Sequence, residues 1–139
     1  MTNTTIPRTD PKIEAIQRVY AAFGRGDLEA VLAELADDVD WASEATTTSA
    51  PWYGKYAGKG EVPRFFGALG TSVETKEFIP LSFTANDTDV MVVIHWTITA
   101  RATGRTATMQ LHHWWRFADD KIVYYRGSDD SELTATLFA

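Results

Sequence analysis

The chain has 139 residues, a net charge of −6 and no cysteine, with 45% hydrophobic and 23% charged residues. That size and balance fit one soluble domain, and the missing cysteine excludes disulfides, thiolate catalysis and Cys-ligated metal centres. The negative sign repels nucleic acid and anionic membranes, because phosphate binding needs clustered Lys and Arg, whereas the thirteen basic residues here are scattered.

Residues 1–8 read as a flexible tail, and residues 9–139 as a single domain. The segment before Asp10 is polar and carries no apolar stretch, unlike a signal peptide. The longest apolar run, Val90 to Trp96, is broken by His95 and is too short to span a bilayer. A cytoplasmic protein with no membrane partner is expected.

In chain order, Asp10 followed by Pro11 reads as a helix start, a capping side chain and then the residue whose missing N–H costs nothing there. Ile13, Ile16, Tyr20 and Phe23 recur at helical spacing, and Gly24 and Gly26 stop the helix. Asp27 caps a second helix with the stripe Leu28, Val31, Leu32 and Leu35. A short extended piece covers Val39 to Ala42. Residues 43–58 read as a loop rich in Ser, Thr, Gly and Pro, yet they hold Trp52, Tyr53 and Tyr56. A third helix is expected from about Gly60 to Leu69, with Gly70 just past its end. The rest reads as β. Val73 to Phe83 has a bend or bulge expected at Pro80. Val90, Val92, Ile94, Trp96 and Ile98 alternate as one face of a long strand. Thr106 to Phe117 follows, then Asp119-Asp120 as a turn, and Lys121 to Ser128. A short helix is expected from Ser131. Helices followed by an antiparallel meander make an α+β pattern.

The strand from Thr106 to Phe117 carries the first candidate. Its period of two puts Ala107, Met109, Leu111, His113, Trp115 and Phe117 on one face, the buried one. His113 is the one titratable residue there. It is either a core histidine satisfied by a carbonyl or hydroxyl, or a pocket histidine that moves protons near neutral pH. Glu44, just after Trp41, is either a solvated loop carboxylate or a base at an aromatic pocket mouth, its pKa raised by desolvation. Asp129 and Asp130 end the last strand, and Asp130 before Ser131 suits a helix cap. Trp52, Tyr53 and Tyr56 are either plain packing or a ligand cage. A metal site is not expected, since His112 and His113 point to opposite faces of one strand and there are only three histidines.

Several segments together resemble the SnoaL-like polyketide cyclases and ketosteroid isomerases of the nuclear transport factor 2 superfamily. They are Tyr20 to Leu28, Leu35 to Val39, Tyr56 to Val62 with Phe65-Phe66, Thr103-Gly104-Arg105, His113 to Ile122, and Asp130-Ser131. The resemblance covers roughly residues 11–138. It implies a cone-shaped barrel, a curved antiparallel sheet packed with three N-terminal helices, dimeric and working without a cofactor around a deep apolar pocket. It implies a pocket role for His113 and brings Glu44 within one residue of the isomerases' general base. It also exposes departures. Val19 stands where the isomerases have their oxyanion tyrosine, with Tyr20 one position off. Gly127 stands where the cyclases and epoxide hydrolases have an acid/base aspartate, and the freed volume is expected to admit a bulkier substrate or let Asp129 reach inward.

The expected function is a cofactor-independent acid/base enzyme of isomerase or lyase type, acting on a hydrophobic oxygenated ring compound. His113, Glu44 and Asp129 are the catalytic candidates. Trp41, Tyr53, Tyr56, Phe65, Trp115, Tyr125 and Gly127 are the ligand-binding candidates. The alternatives are a binder without turnover and a dimerising module with a vestigial pocket. A homodimer is expected through the outer sheet face, which carries His95, Gln110, His112, Trp114 and Tyr124.

Overall fold

The computed structural model describes residues 10–139, so the expected tail at residues 1–8 lies outside the described residues. Helix α1 spans Pro11–Gly24, opened by the Asp10 carboxylate accepting from the Lys12 amide at 2.8 Å. Asp27 accepts from the Ala30 amide and opens α2, Leu28–Ala33. Strand β1 then runs Leu35–Ser43, longer than the extended piece read from the sequence. Leu35, expected on the helical stripe, instead pairs with Ile122 of the last strand and is fully buried. Tertiary pairing overrides helical spacing there.

The stretch read as one loop contains a further extended element, β2, Gly54–Ala57, paired antiparallel with β1. Helix α3 spans Val62–Ser72 and passes through Gly70 rather than ending before it. Its last turn is held by Thr71 and Ser72, whose hydroxyls donate to the carbonyls of Gly67 and Ala68. The remaining strands are β3 (Val73–Ala85), β4 (Asp89–Ala100), β5 (Thr106–Ala118) and β6 (Lys121–Ser128), followed by helix α4, Ser131–Phe138. Asp119 and Asp120 both have positive φ, as a tight hairpin turn requires. Asp130 caps α4 by accepting from the Leu133 amide.

The six strands form one curved, unclosed sheet in the order β2-β1-β6-β5-β4-β3. All neighbours are antiparallel except β1 and β6, which run parallel. The fold is α+β as expected, with the sheet edges at β2 and β3. Edge strand β3 carries two bulges, between Thr75 and Glu77 and between Pro80 and Ser82. Pro80 is tolerated because it sits on an edge. On β4 the alternating set Val90, Val92, Ile94, Trp96 and Ile98 is buried, and so is the set Ala107 to Phe117 on β5. These two rows, with Ile16 and Val19 of α1 and Val62 and Phe65 of α3, form the core. No helix among the described residues is long and apolar enough to cross a membrane.

Candidate functional site

His113 sits on the inner face of β5, 8% exposed, in the wall of an apolar chamber of about 50 Å³. Its partner comes from α1. The Tyr20 hydroxyl lies 2.7 Å from His113 Nδ1, and Trp115 Nε1–H donates to the same hydroxyl oxygen at 3.3 Å. The indole nitrogen can only donate. Among the described residues Nδ1 is the one acceptor within reach of the Tyr20 hydroxyl, so the arrangement that satisfies all three groups has Tyr20 accepting from Trp115 and donating to Nδ1, with the neutral imidazole carrying its proton on Nε2. Among the described residues nothing accepts from Nε2, so the ring's free donor belongs to the chamber.

Electrostatics keep both groups neutral. Burial, with a smaller push from the neighbouring His112, pulls the His113 pKa down to about 3. Burial raises the Tyr20 hydroxyl far above its ordinary value, offset only partly by the Trp115 hydrogen bond. Tyr125, on β6 across from Trp115, is likewise raised by burial, and its hydroxyl has no hydrogen-bond partner among the described residues. The polar end of the chamber is thus made of neutral hydrogen-bonding groups, suited to an oxygen that gains negative charge.

Not every expected residue meets His113. Phe65, Trp115 and Tyr125 line the chamber with it. Glu44 does not. Its carboxylate accepts from Arg126 Nε at 2.8 Å and is 63% exposed. Arg126 pairs with Trp114 in register, on the sheet face opposite His113. The expected His113–Glu44 acid/base pair is therefore not formed, because Glu44, one residue past the end of β1 and its inward Ser43, turns to the outer side to meet Arg126. Trp41 is packed behind the lining, its ring 4.1 Å from that of Tyr125, with an indole N–H that is buried and unpaired. Tyr56 is buried, donates to the Trp52 carbonyl and lies under Arg64, outside the lining. Tyr53 turns to Asp129, donating to its carboxylate at 2.6 Å. Asp129 does not line the chamber. Burial raises its pKa, and the Tyr53 hydrogen bond offsets this in part.

Gly127 pairs with His113 across β5 and β6, on the buried side. The space left by its missing side chain is not free. A Cβ there would collide with the hydroxyl and ring of Tyr125. The expectation of extra room, or of Asp129 swinging in, is corrected: a tyrosine two residues earlier fills the place.

The residue missed was Tyr20. Its one-position offset from Val19 counted against it, yet Val19 also lines the chamber, and the helix lets both reach it. The signal was present in the stripe Ile16, Tyr20 and Phe23, where the one hydroxyl on an apolar face had to find a partner inside. Trp52, Trp96 and Leu111 complete the wall around it.

A curved sheet closed by helices over an apolar chamber, polar at one end, defines the α+β cone folds. The chain belongs to the SnoaL-like domain family, which matches residues 16–125. No curated protein matches it. Among solved structures it is similar to a nuclear transport factor 2-like protein of unknown function from Burkholderia pseudomallei. That protein is 28% identical, with 94% of this chain and 99% of the other covered and a TM-score of 0.86. A second such protein, from Burkholderia thailandensis, is 26% identical over 95% and 99%, with a TM-score of 0.82. TerC, co-crystallised with polyporic acid, is 25% identical over 93% and 98%, with a TM-score of 0.84.

Proposed function

We propose that the chain takes a hydrophobic, oxygenated ring compound into its cone and hydrogen-bonds the compound's oxygen through His113, held by Tyr20. The observation that carries this is the Trp115–Tyr20–His113 chain at the polar end of an otherwise apolar chamber. A buried polar chain with one unpaired donor is costly unless something uses that donor. The co-crystal of TerC with polyporic acid supports a small organic ligand. The chemistry that these side chains support by themselves is proton transfer next to a polarised carbonyl, of isomerase or lyase type. A neutral imidazole can polarise that carbonyl.

The second reading, a binder without turnover, is favoured by the lack of any carboxylate in the chamber lining and by the low basicity of His113. A thermal-shift panel of phenols, enones and polycyclic ketones tests binding. Deuterium uptake at the carbon beside a bound ketone tests proton transfer. Binding that survives in Tyr20→Phe and His113→Gln at unchanged affinity sinks the oxygen-recognition reading.

The outer sheet face is proposed as the surface for a second copy of the chain. Met91 is exposed there across from the half-buried Trp114, whose ring meets that of Tyr124, and Ile79 is exposed across from His95, the pattern of an interface more than of bare solvent.

A further inference from the structure

The chamber of about 50 Å³ holds a few waters and no aromatic ring. Beside it lies a cleft of about 700 Å³, bounded by the α1–α2 turn, the end of α3 and the start of β3. That volume is in the range of small-molecule sites. The two spaces share five lining residues: Tyr20, Phe23, Phe66, Leu69 and Phe78. Their rings meet in a thin wall. Phe23 lies 5.8 Å from both Phe66 and Phe78, and Phe78 lies 5.0 Å from Tyr20. All three phenylalanines are half-buried. Phe78 also stands on the edge strand, in the stretch between the two β3 bulges and paired on one side only.

Resting on the reading above, we infer that the cleft is the outer half of a two-lobed site and that Phe78 is its movable, specificity-determining partition. A ring that reaches His113 from the cleft must push this wall aside. A ligand long enough to remain in the cleft as well packs against the displaced phenylalanines and keeps their rings out of water. The ligand class is therefore an elongated molecule of at least two rings, oxygenated at the inner end. The outer lobe carries no net charge, because the charged lining residues Asp27, Glu74, Lys76 and Arg101 sum to zero and Lys76 and Glu74 already pair at 3.1 Å. Leu28 lines the cleft and not the chamber, so it separates the two lobes experimentally.

The test uses phenol and 4-phenylphenol, with calorimetry on wild type, Leu28→Ser and Phe78→Leu. The second ring is expected to tighten binding at least tenfold, and Leu28→Ser to weaken 4-phenylphenol at least fivefold while leaving phenol unchanged. Equal affinities for the two probes, or an equal loss for both in Leu28→Ser, overturn the two-lobed site while leaving oxygen recognition intact. Acrylamide quenching reads the partition without any ligand, in a Trp114→Phe background, because Trp52, Trp96 and Trp115 all line the chamber. Phe78→Ala, and to a lesser degree Phe78→Leu, should at least double the quenching constant. An unchanged constant in folded Phe78→Leu overturns the partition. If neither phenol binds the wild type, the function proposed above fails and the two-lobed site fails with it, and the quenching result decides the partition alone.

Discussion

Replacing His113 with Gln should change how stability depends on pH more than it changes stability at neutral pH. In the folded chain the imidazole is neutral down to about pH 3, because burial opposes its charge. In the unfolded chain it titrates near its ordinary value of about 6.5. The groups facing it do not offset this. Tyr20 from α1 and Tyr125 from β6 are both held neutral by burial, and the Asp129 carboxylate is engaged with Tyr53. With the Tyr20 hydroxyl donating to Nδ1, a second proton on the ring would have to go to that nitrogen and set two donors facing each other, unless the hydroxyl turned its proton away to where no acceptor lies among the described residues.

The folded pKa is depressed, so the unfolded state binds the extra proton and stability falls as pH falls below about 6.5. A single group shifted in this way costs about 1.4 kcal/mol at pH 5.5 and about 2.7 kcal/mol at pH 4.5, relative to neutral pH. Carboxylates held below their ordinary pKa in the folded chain add a further loss at the acid end. Asp89 is one: its burial is outweighed by hydrogen bonds from Arg116, Trp114 and Thr88, which bring its pKa to about 2. Urea unfolding of wild type and His113→Gln at pH 7.5, 5.5 and 4.5 cancels such contributions by difference. Wild type should lose those amounts beyond the loss of the variant. If the two stability curves run parallel within about 0.3 kcal/mol, His113 takes its proton in the folded state, and the neutral site described above is wrong.

Tyr20→Phe removes the hydroxyl that serves two partners and strands both His113 Nδ1 and Trp115 Nε1, so it should cost about 1–3 kcal/mol in chemical unfolding, with ligand affinity falling as well. Gly127→Ala should cost about 1–3 kcal/mol from overpacking, since the added Cβ meets the Tyr125 ring and that ring is held between Trp41 at 4.1 Å and Trp115 at 4.6 Å. The same collision means that Gly127→Asp should lower the melting temperature, not create an acid/base enzyme. Light scattering at tens of micromolar should give the mass of a dimer, and Met91→Glu should reduce it to one chain; a wild-type monomer refutes the outer-face interface.

Where period and turn chemistry dominate, the fold was legible. The alternation of β4 and β5, the caps at Asp10, Asp27 and Asp130, and the bulge near Pro80 follow from local rules and recur in the structure. What local rules could not reach were long-range pairings. Leu35 fits a helical stripe until Ile122 is beside it. The four residues of β2 are too few to show a period. At the site, strand alternation was enough to turn His113 inward. Glu44 was misjudged because one residue past the end of β1 it turns to the outer side of the sheet, and no sequence distance reveals that Arg126 waits there.

The tyrosine at 125 and the glycine at 127 are best understood as one feature. A carboxylate at position 127 would stand directly across from His113 and hold a proton or a charge beside it. With glycine there, the ring two residues earlier lies over the gap and brings a hydroxyl that has no partner among the described residues. A carboxylate can take a proton near neutral pH, whereas a buried phenol whose pKa is raised keeps its own proton and cannot serve as the base. The exchange turns the inner end of the cone from a place that can remove a proton into one that offers hydrogen bonds. Any turnover must then draw its base from the ligand itself or from water. The double change Gly127→Asp with Tyr125→Phe removes the hydroxyl from the collision and reintroduces the carboxylate. If the donor character of this end governs the chemistry, deuterium uptake by a bound ketone should rise at least tenfold over wild type in that variant. Uptake no faster than wild type in a folded double variant would show that the missing carboxylate is not what limits proton removal.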